Sequence, residues 1–292
     1  MSNTIKTCKA PDPHPRTPSI RLPAGAVDAH CHVFGPASVF PYAADRSYTP
    51  PDAPVEDLQR VHAALGIDRA VIVQASCHGT DNSAMMDAIA RSKGAYRGVA
   101  IVDGGVTDAE LRALDEGGVR GVRFNFVQHL GGTPDLEVFD RVLDRIQPLG
   151  WHVVLHLDAG DILEHEERIG RIKVPFIIDH MGRVQAKKGL EQEPFRRLLA
   201  LMRNPLAWVK VCGPERVSSA GAPFHDAVPF ANALIEAAPD RVLWGTDFPH
   251  PNIAGDMPND GDLVELLALA APDEAMRRRI LIDNPDRLYW AK

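Results

Sequence analysis

The chain has 292 residues, 45% of them hydrophobic, and its 39 acidic side chains outnumber its 32 lysines and arginines, for a formal net charge of −7. This length and composition allow a large buried core, in one large α/β domain or two small ones. The acidic balance, with no basic run, argues against a nucleic-acid or anionic-membrane partner. Four cysteines without CxxC spacing predict reduced thiols in a cytoplasmic protein.

Residues 1–24 carry five prolines among scattered basic residues and lack the apolar segment of a secretory signal. We expect an irregular N-terminal arm over residues 1–24, followed by a single domain over residues 25–292. No apolar stretch approaches the roughly 20 residues that a membrane span requires.

Short apolar runs alternate with longer amphipathic segments along the rest of the chain. Eight runs predict strands, over residues 27–32, 70–76, 96–103, 119–126, 151–158, 174–182, 206–213 and 241–247. Apolar strands that alternate with helices indicate a parallel sheet covered on both faces. Eight such units favour an α/β fold of the (β/α)8 TIM-barrel type, with a doubly wound open sheet as the alternative.

The first predicted strand ends in the sequence VDAHCH, residues 27–32. Side chains alternate along a strand, so His30 and His32 face one way and Cys31 the other. His156, His180 and Asp247 lie near or at the ends of the fifth, sixth and eighth predicted strands. The chemistry of such barrels sits at the carboxyl ends of the strands. We therefore predict that these imidazoles and this carboxylate share one site.

Other polar residues also lie on or after predicted strands, and we include them as candidate substrate contacts: Ser76, His78, Arg123, Asn125, His129 and His250. A single histidine at a strand end is more often a loop residue bonded to the backbone. That alternative stays open for His78 and His129.

Five segments carry a family resemblance: DAHCH, VIVQASCHGTDN, GVRGVRFNF, FIIDHMGR and WGTDFPHPN. In this order and spacing they resemble the amidohydrolase superfamily and, within it, the 2-pyrone-4,6-dicarboxylate lactonases of aromatic-compound degradation. The likeness runs from about residue 24 to the RLYW sequence near the carboxyl end. It implies a (β/α)8 barrel and the reversible hydrolysis of a lactone that bears carboxylates.

The resemblance also implies catalytic roles. Ester hydrolysis needs an activated water, a polarised carbonyl and stabilisation of the oxyanion. Asp247 is expected to be the general base on the water. His30, His32 and His180 are expected to polarise the lactone carbonyl, since the similar lactonases work without metal.

Guanidinium groups suit the anionic substituents of such a lactone, because they bind carboxylates in a two-pronged geometry. Arg123 and Arg216 match arginines of the family. Tyr48 and Ser76 fall where the family places further contacts. The expected partner is a small anionic lactone, and the sequence leaves the oligomeric state open.

Two positions depart from the lactonase pattern. His129 stands where a substrate arginine is expected, and His156 stands where the fifth strand usually ends in a tyrosine. With His156, the chain has the ligand set by which metal-dependent members hold one divalent ion: His30, His32, His156, His180 and Asp247. Imidazole and carboxylate suit zinc or manganese. A zinc-dependent hydrolase of 4-sulfomuconolactone is therefore an alternative function.

Two further functions stay open. A decarboxylase of the same superfamily uses much the same histidines, although QASCHGTDN and DFPHPN resemble the lactonases more closely. A catalytically inactive binding protein is the other. It predicts a broken site, whereas every expected histidine and aspartate is present.

Overall fold

The computed structural model describes residues 5–291, so residues 1–4 of the predicted arm and residue 292 lie outside the described residues. Eight parallel strands are hydrogen-bonded to one another in chain order. They are β1 (Val27–Cys31), β2 (Arg69–Val73), β3 (Tyr96–Ala100), β4 (Val119–Asn125), β5 (His152–His156), β6 (Phe176–Ile178), β7 (Ala207–Lys210) and β8 (Val242–Leu243).

The segment that follows β8 closes the sheet on β1. The amide of Ala29 donates to Trp244 O and that of Asp247 donates to His30 O, both at 2.8 Å. Gly245 permits this approach, because a Cβ there would lie 2.4 Å from the His30 amide nitrogen. The (β/α)8 barrel is therefore confirmed, and the open doubly wound sheet is excluded.

Each strand leads to a helix. The eight helices are α1 (Val55–Leu65), α2 (Ser83–Arg91), α3 (Asp108–Glu116), α4 (Leu136–Ile146), α5 (Ala159–Gly170), α6 (Glu193–Leu201), α7 (Val228–Ala237) and α8 (Asp260–Ala270). Side-chain caps fix several of their starts: Thr107 forms a capping box with Glu110 on α3, and Asp135 accepts from two amides of α4. Short helices also occupy Pro214–Val217 and Glu274–Arg278.

The carboxyl-terminal segment closes the amino-terminal end of the barrel. Tyr289 packs with buried residues of seven strands, and its ring lies 4.9 Å from that of His152, the first residue of β5. The guanidinium groups of Arg69 and Arg97 form cation–π contacts with the ring of Trp290. This end is filled with packed side chains, which leaves the opposite end for polar groups.

The described part of the arm is irregular except at Lys6–Thr7, which pairs in parallel with Tyr48–Thr49. Farther along, the amide of Arg16 donates to Asn259 Oδ1 at 2.8 Å, and Ser19 Oγ donates to Glu265 at 2.7 Å. The arm is therefore fixed against the start of α8. Among residues 5–291, no helix has the length and apolar character needed to cross a membrane.

Candidate active site

Asp247 is the centre of a buried polar cluster at the carboxyl ends of the strands. Its Oδ1 lies 3.4 Å from His30 Nε2, 3.3 Å from His32 Nε2 and 4.0 Å from His180 Nε2. All four side chains are buried. The structure thus brings together the four residues that the sequence suggested for catalysis.

Two of these side chains reach the cluster from left-handed backbone. His180 has φ 49° and Asp247 has φ 63°. The strand expected over residues 174–182 ends at Ile178, because residues 180–183 all have positive φ and form a tight turn. Likewise β8 ends at Leu243, before the turn that carries Asp247. Such backbone costs free energy in residues other than glycine and occurs often at functional sites.

The hydrogen bonds of His32 fix the position of its proton. His32 Nδ1 lies 2.7 Å from Val73 O, and a carbonyl only accepts, so Nδ1 carries the hydrogen. Burial lowers the pKa of His32 to about 4, so the ring is neutral at pH 7. Its Nε2 lone pair then faces Asp247 Oδ1, also an acceptor. A cation or a proton donor between these two atoms would satisfy both.

Arg216 pairs with the other oxygen of the central carboxylate. Its Nη2 and Nε lie 2.5 and 3.0 Å from Asp247 Oδ2. Burial alone would raise the pKa of Asp247, but the charge of Arg216 holds it well below the usual range. Asp247 is therefore ionised at neutral pH and available to accept a proton.

His156 joins the site from the end of β5. Its Nδ1 lies 3.0 Å from Asn125 Oδ1, and Asn125 Nδ2 donates to Ser76 Oγ at 3.1 Å. Asn125 therefore orients His156. The other ring nitrogen, Nε2, is buried and has no hydrogen-bond partner among the residues described. Burial lowers the pKa of His156 well below its ordinary value, so Nε2 offers a lone pair to the site.

A narrow cavity opens above Asp247. Five residues expected to contact substrate line it: Tyr48, Ser76, Arg123, His129 and Arg216. His156, expected as a metal ligand, lines it too, as do Leu130, Pro251 and Asn252, which the sequence did not suggest. Burial raises the pKa of Tyr48 well above its usual value, so its hydroxyl stays protonated. The cavity combines two guanidinium groups with neutral donors and acceptors.

Three predicted contacts are not among the residues that line this cavity: His78, Asn125 and His250. His78 Nδ1 lies 3.1 Å from Pro41 O, and its Nε2 accepts from the amide of Gly35 at 3.2 Å. His250 pairs with Asp260 on α8, with 3.1 Å between Nε2 and Oδ1. Both rings bond to other parts of the protein, and the prediction that they contact substrate stays a prediction. For His78 the backbone-bonded alternative describes what is observed.

Known proteins share this barrel and these motifs. A family model described as amidohydrolase matches residues 27–290. The chain belongs to the amidohydrolase family.

Two curated relatives of this amidohydrolase are lactone hydrolases. A 2-pyrone-4,6-dicarboxylate hydrolase of Comamonas testosteroni is 47% identical over 95% of this chain and 94% of its own. A 4-sulfomuconolactone hydrolase of Rhizobium radiobacter is 45% identical over 98% of this chain and 96% of its own. A crystal structure from Acinetobacter baumannii, described as a probable 2-pyrone-4,6-dicarboxylic acid hydrolase with citric acid bound, has a TM-score of 0.80 at 26% identity and covers 91% of this chain and 99% of its own.

The amidohydrolase has two charged residues at its site that the sequence reasoning missed. Lys210 and Asp179 are fully buried beneath the imidazoles. Each stands in an apolar run, LAWVKVCG and FIIDHMG. A charged residue inside a buried strand is rare unless it is paired. A charge within an apolar run therefore could have indicated both residues from the sequence.

The amidohydrolase also has side chains arranged as metal ligands. His30, His32 and Asp247 form one group whose donor atoms lie within 4.8 Å of one another, and His30, Asp179 and His180 form another. The facing acceptors of His32 and Asp247 fit a divalent cation. The surroundings of His30 differ from those of His32, because the ammonium group of Lys210 faces His30 Nδ1.

Proposed function

We propose that this amidohydrolase opens a lactone that carries anionic substituents, of the 2-pyrone-4,6-dicarboxylate type, by adding water to the ring carbonyl. One observation carries the proposal: an ionised carboxylate is surrounded by three imidazoles next to two buried guanidinium groups in a single cavity. The two lactone hydrolases that share nearly the full length of the chain support the same reaction class.

The proposed reaction consumes one water. Asp247 accepts a proton from the water as its oxygen bonds to the lactone carbonyl carbon. An imidazole N–H group stabilises the charge that builds on the carbonyl oxygen, and the bond between this carbon and the ring oxygen then breaks. The leaving ring oxygen takes up a proton, and the product gains a carboxylate. At neutral pH each turnover therefore releases one proton.

Arg123 and Arg216 bind the anionic substituents of the lactone. Arg123 pairs with Asp179 at 3.2 Å, and Arg216 pairs with Asp247, so each guanidinium is held by a carboxylate on one side. Their remaining N–H groups, with the hydroxyls of Tyr48 and Ser76, suit the oxygens of a carboxylate. The citric acid bound to the Acinetobacter baumannii protein is consistent with such a site for carboxylates.

A divalent ion, zinc or manganese, fits the lone pairs of His32 and the carboxylate of Asp247, with His180 Nε2 facing the same oxygen. When bound, such an ion polarises a carbonyl and lowers the pKa of its water to roughly 7. Asp247 would still receive the proton of the water. Elemental analysis and a chelator test on the purified protein measure whether an ion is held.

A sulfonated muconolactone is the second candidate substrate. His129 and His156 both reach the cavity, at the positions where the pyrone lactonases are expected to have arginine and tyrosine. These two changes alter the contacts available to a second carboxylate. The relative from Rhizobium radiobacter supports this candidate.

The test offers both lactones to the purified protein and follows the ring chromophore and proton release. We expect ring opening by the native protein and a loss of at least roughly 10³-fold in kcat for Asp247→Asn. Asp87→Asn, which removes a carboxylate from the surface of α2, is the control and should be fully active. Ring opening by Asp247→Asn at the native rate would remove Asp247 as the base. Release of carbon dioxide would indicate the decarboxylase, and binding without turnover of either lactone would indicate a binding protein.

A further inference from the structure

Lys210 is the last residue of β7 and lies at the base of the site with no exposed surface. Its Nζ is 2.9 Å from His30 Nδ1. Lysine is almost never fully buried unless it is paired. Lys210 is therefore expected to be paired with a group of opposite charge, and not only with the imidazole of His30.

The carboxylate of Asp179 lies between the side chains of Lys210 and Arg123. Asp179 Oδ1 lies 3.2 Å from Lys210 Nζ, and Asp179 Oδ2 lies 3.2 Å from Arg123 Nη2. Although burial opposes it, the charges of Lys210 and Arg123 hold the pKa of Asp179 well below its usual range. An ammonium group has three N–H donors and no lone pair. Lys210 can therefore only donate to the ring that it faces.

This donor determines which nitrogen of His30 carries the proton. An N–H on Nδ1 would point at another N–H across 2.9 Å, so Nδ1 must present its lone pair. Asp179 Oδ1 is 3.3 Å from the same nitrogen, farther than Lys210 Nζ, and both oxygens of Asp179 are already paired with cations. While Lys210 is present, Asp179 is thus the weaker partner for Nδ1.

We propose that Lys210 is a positioning residue that holds His30 in the tautomer with its proton on Nε2. His30 then directs an N–H toward Asp247 Oδ1, 3.4 Å away. His32, two residues away and on the same face, has the opposite tautomer. The HxH pair provides one donor and one acceptor.

Two consequences follow from this difference. His30 has no lone pair on the side of the site, so it does not hold a metal ion while Lys210 is charged, and His32 with Asp247 remains the metal-binding pair. His30 is instead the donor to the oxyanion of the lactone, a consequence that rests on the proposed function. The tautomer itself does not depend on any substrate.

Nuclear magnetic resonance of ¹⁵N-histidine-labelled protein in chelator tests the tautomer directly. In the native protein we expect His30 to have a protonated Nε2 and an unprotonated Nδ1, with the His30 signals assigned by their loss in His30→Gln. A native spectrum with the proton on Nδ1 overturns the inference, whether or not any variant folds. Lys210→Met should move the proton to Nδ1, where Asp179 can accept it. Lys210→Arg, which is also a pure donor, should preserve the native tautomer.

Zinc titration provides a second readout. We expect Lys210→Met to bind zinc at least ~10-fold more tightly than the native protein, in line with the effect of neighbours on metal ligands. Lys210→Arg and the exposed-site control Lys188→Met should bind zinc as the native protein does. Equal zinc affinity in native protein and a folded Lys210→Met would contradict the inference.

Turnover separates this inference from the proposed function. If neither lactone is opened but the His30 proton is on Nε2, the proposed function fails alone. If a lactone is opened and the proton is on Nδ1, the role of Lys210 fails alone. If both hold, Lys210→Met should lower kcat with KM little changed, because the oxyanion donor acts in the transition state.

Discussion

Arg216 Nη2 lies 2.5 Å from Asp247 Oδ2, while three imidazoles face Oδ1 of the same carboxylate. The base proposed for water activation is therefore paired with the cation proposed for substrate binding. Burial alone would raise the pKa of Asp247, and the charge of Arg216 is the largest contribution that lowers it. A change at Arg216 should consequently affect both binding and the pH profile.

We expect Arg216→Gln to raise KM for an anionic lactone and to move the acidic limb of kcat/KM to higher pH. Asp247 acts in its ionised form, so activity is lost as the pH falls through its pKa. Removal of the guanidinium raises that pKa, and the loss then begins at higher pH. The measurement is kcat/KM against pH for both proteins in the presence of chelator.

Arg197→Gln is a suitable control, because it removes an arginine that is half exposed on α6 and pairs with Glu193. Its pH profile should overlay the native one. An Arg216→Gln profile with an unshifted acidic limb would mean that Asp247 is not the group whose ionisation limits the reaction.

Burial of a neutral imidazole predicts a loss of stability in mild acid. The pKa of His32 is about 4 in the native protein against 6.5 for a free imidazole. Between these pH values the unfolded chain binds the proton that the native state does not, so the free energy of unfolding falls as the pH is lowered. The full effect is about 3 kcal/mol and is complete only below the native pKa.

Urea unfolding at a series of pH values in chelator measures this effect. His32→Gln cannot be protonated, and its stability should decline less steeply between pH 6.5 and 4 than that of the native protein. Parallel declines for the two proteins would show that His32 does not contribute in this pH range.

The described part of the N-terminal arm contacts two walls of the cavity. Besides the pairing of Lys6–Thr7 with Tyr48–Thr49, the amide of Cys8 donates to Thr49 O at 3.0 Å, and Cys8 Sγ lies 3.6 Å from Asn252 Oδ1. Tyr48 and Asn252 both line the cavity. Deletion of residues 1–9 should therefore raise KM several-fold with a smaller effect on kcat.

Stability should change little in this deletion, because the bonds from Arg16 and Ser19 to the region of α8 remain. Deletion of residues 1–4 keeps every one of these contacts and is the control. Unchanged KM in the longer deletion, with the urea midpoint also unchanged, would indicate that the arm has no role in shaping the cavity.

The sequence predicted the eight strands, their parallel order and the convergence of His30, His32, His180 and Asp247, because strand alternation and barrel geometry fix which residues meet. It did not predict the left-handed turns at His180 and Asp247, since neither position is a glycine, the residue that usually marks positive φ. Those turns depend on contacts with other strands.

Position at a strand end does not by itself distinguish a polar residue that bonds loop backbone from one that serves the site. His78 and Asn125 differ only in the three-dimensional surroundings of their side chains: the first bonds loop backbone, and the second orients His156. Lys210 was not predicted as a site residue, because it is the single charged residue in a strand that is otherwise apolar. Its partners are 31 and 180 residues away in sequence and become neighbours only in the barrel.

The closed amino-terminal end of the barrel provides a prediction that is independent of catalysis. Tyr289 is 1% exposed and belongs to a buried cluster that includes residues of seven strands, so Tyr289→Ala should lower the free energy of unfolding by about 3–5 kcal/mol through lost burial and a cavity. Its hydroxyl has no hydrogen-bond partner in the described part of the chain. Tyr289→Phe should therefore be neutral or stabilising, by at most about 1 kcal/mol.

Urea unfolding of the three proteins, with Leu269→Ala on the exposed face of α8 as the control, measures both effects. Leu269 is 55% exposed, so its removal should cost little. If the Ala and Phe variants lose the same free energy of unfolding, the hydroxyl of Tyr289 stabilises the protein and its ring does not. In that case a polar contact, and not the packing of an aromatic ring, would close this end of the barrel.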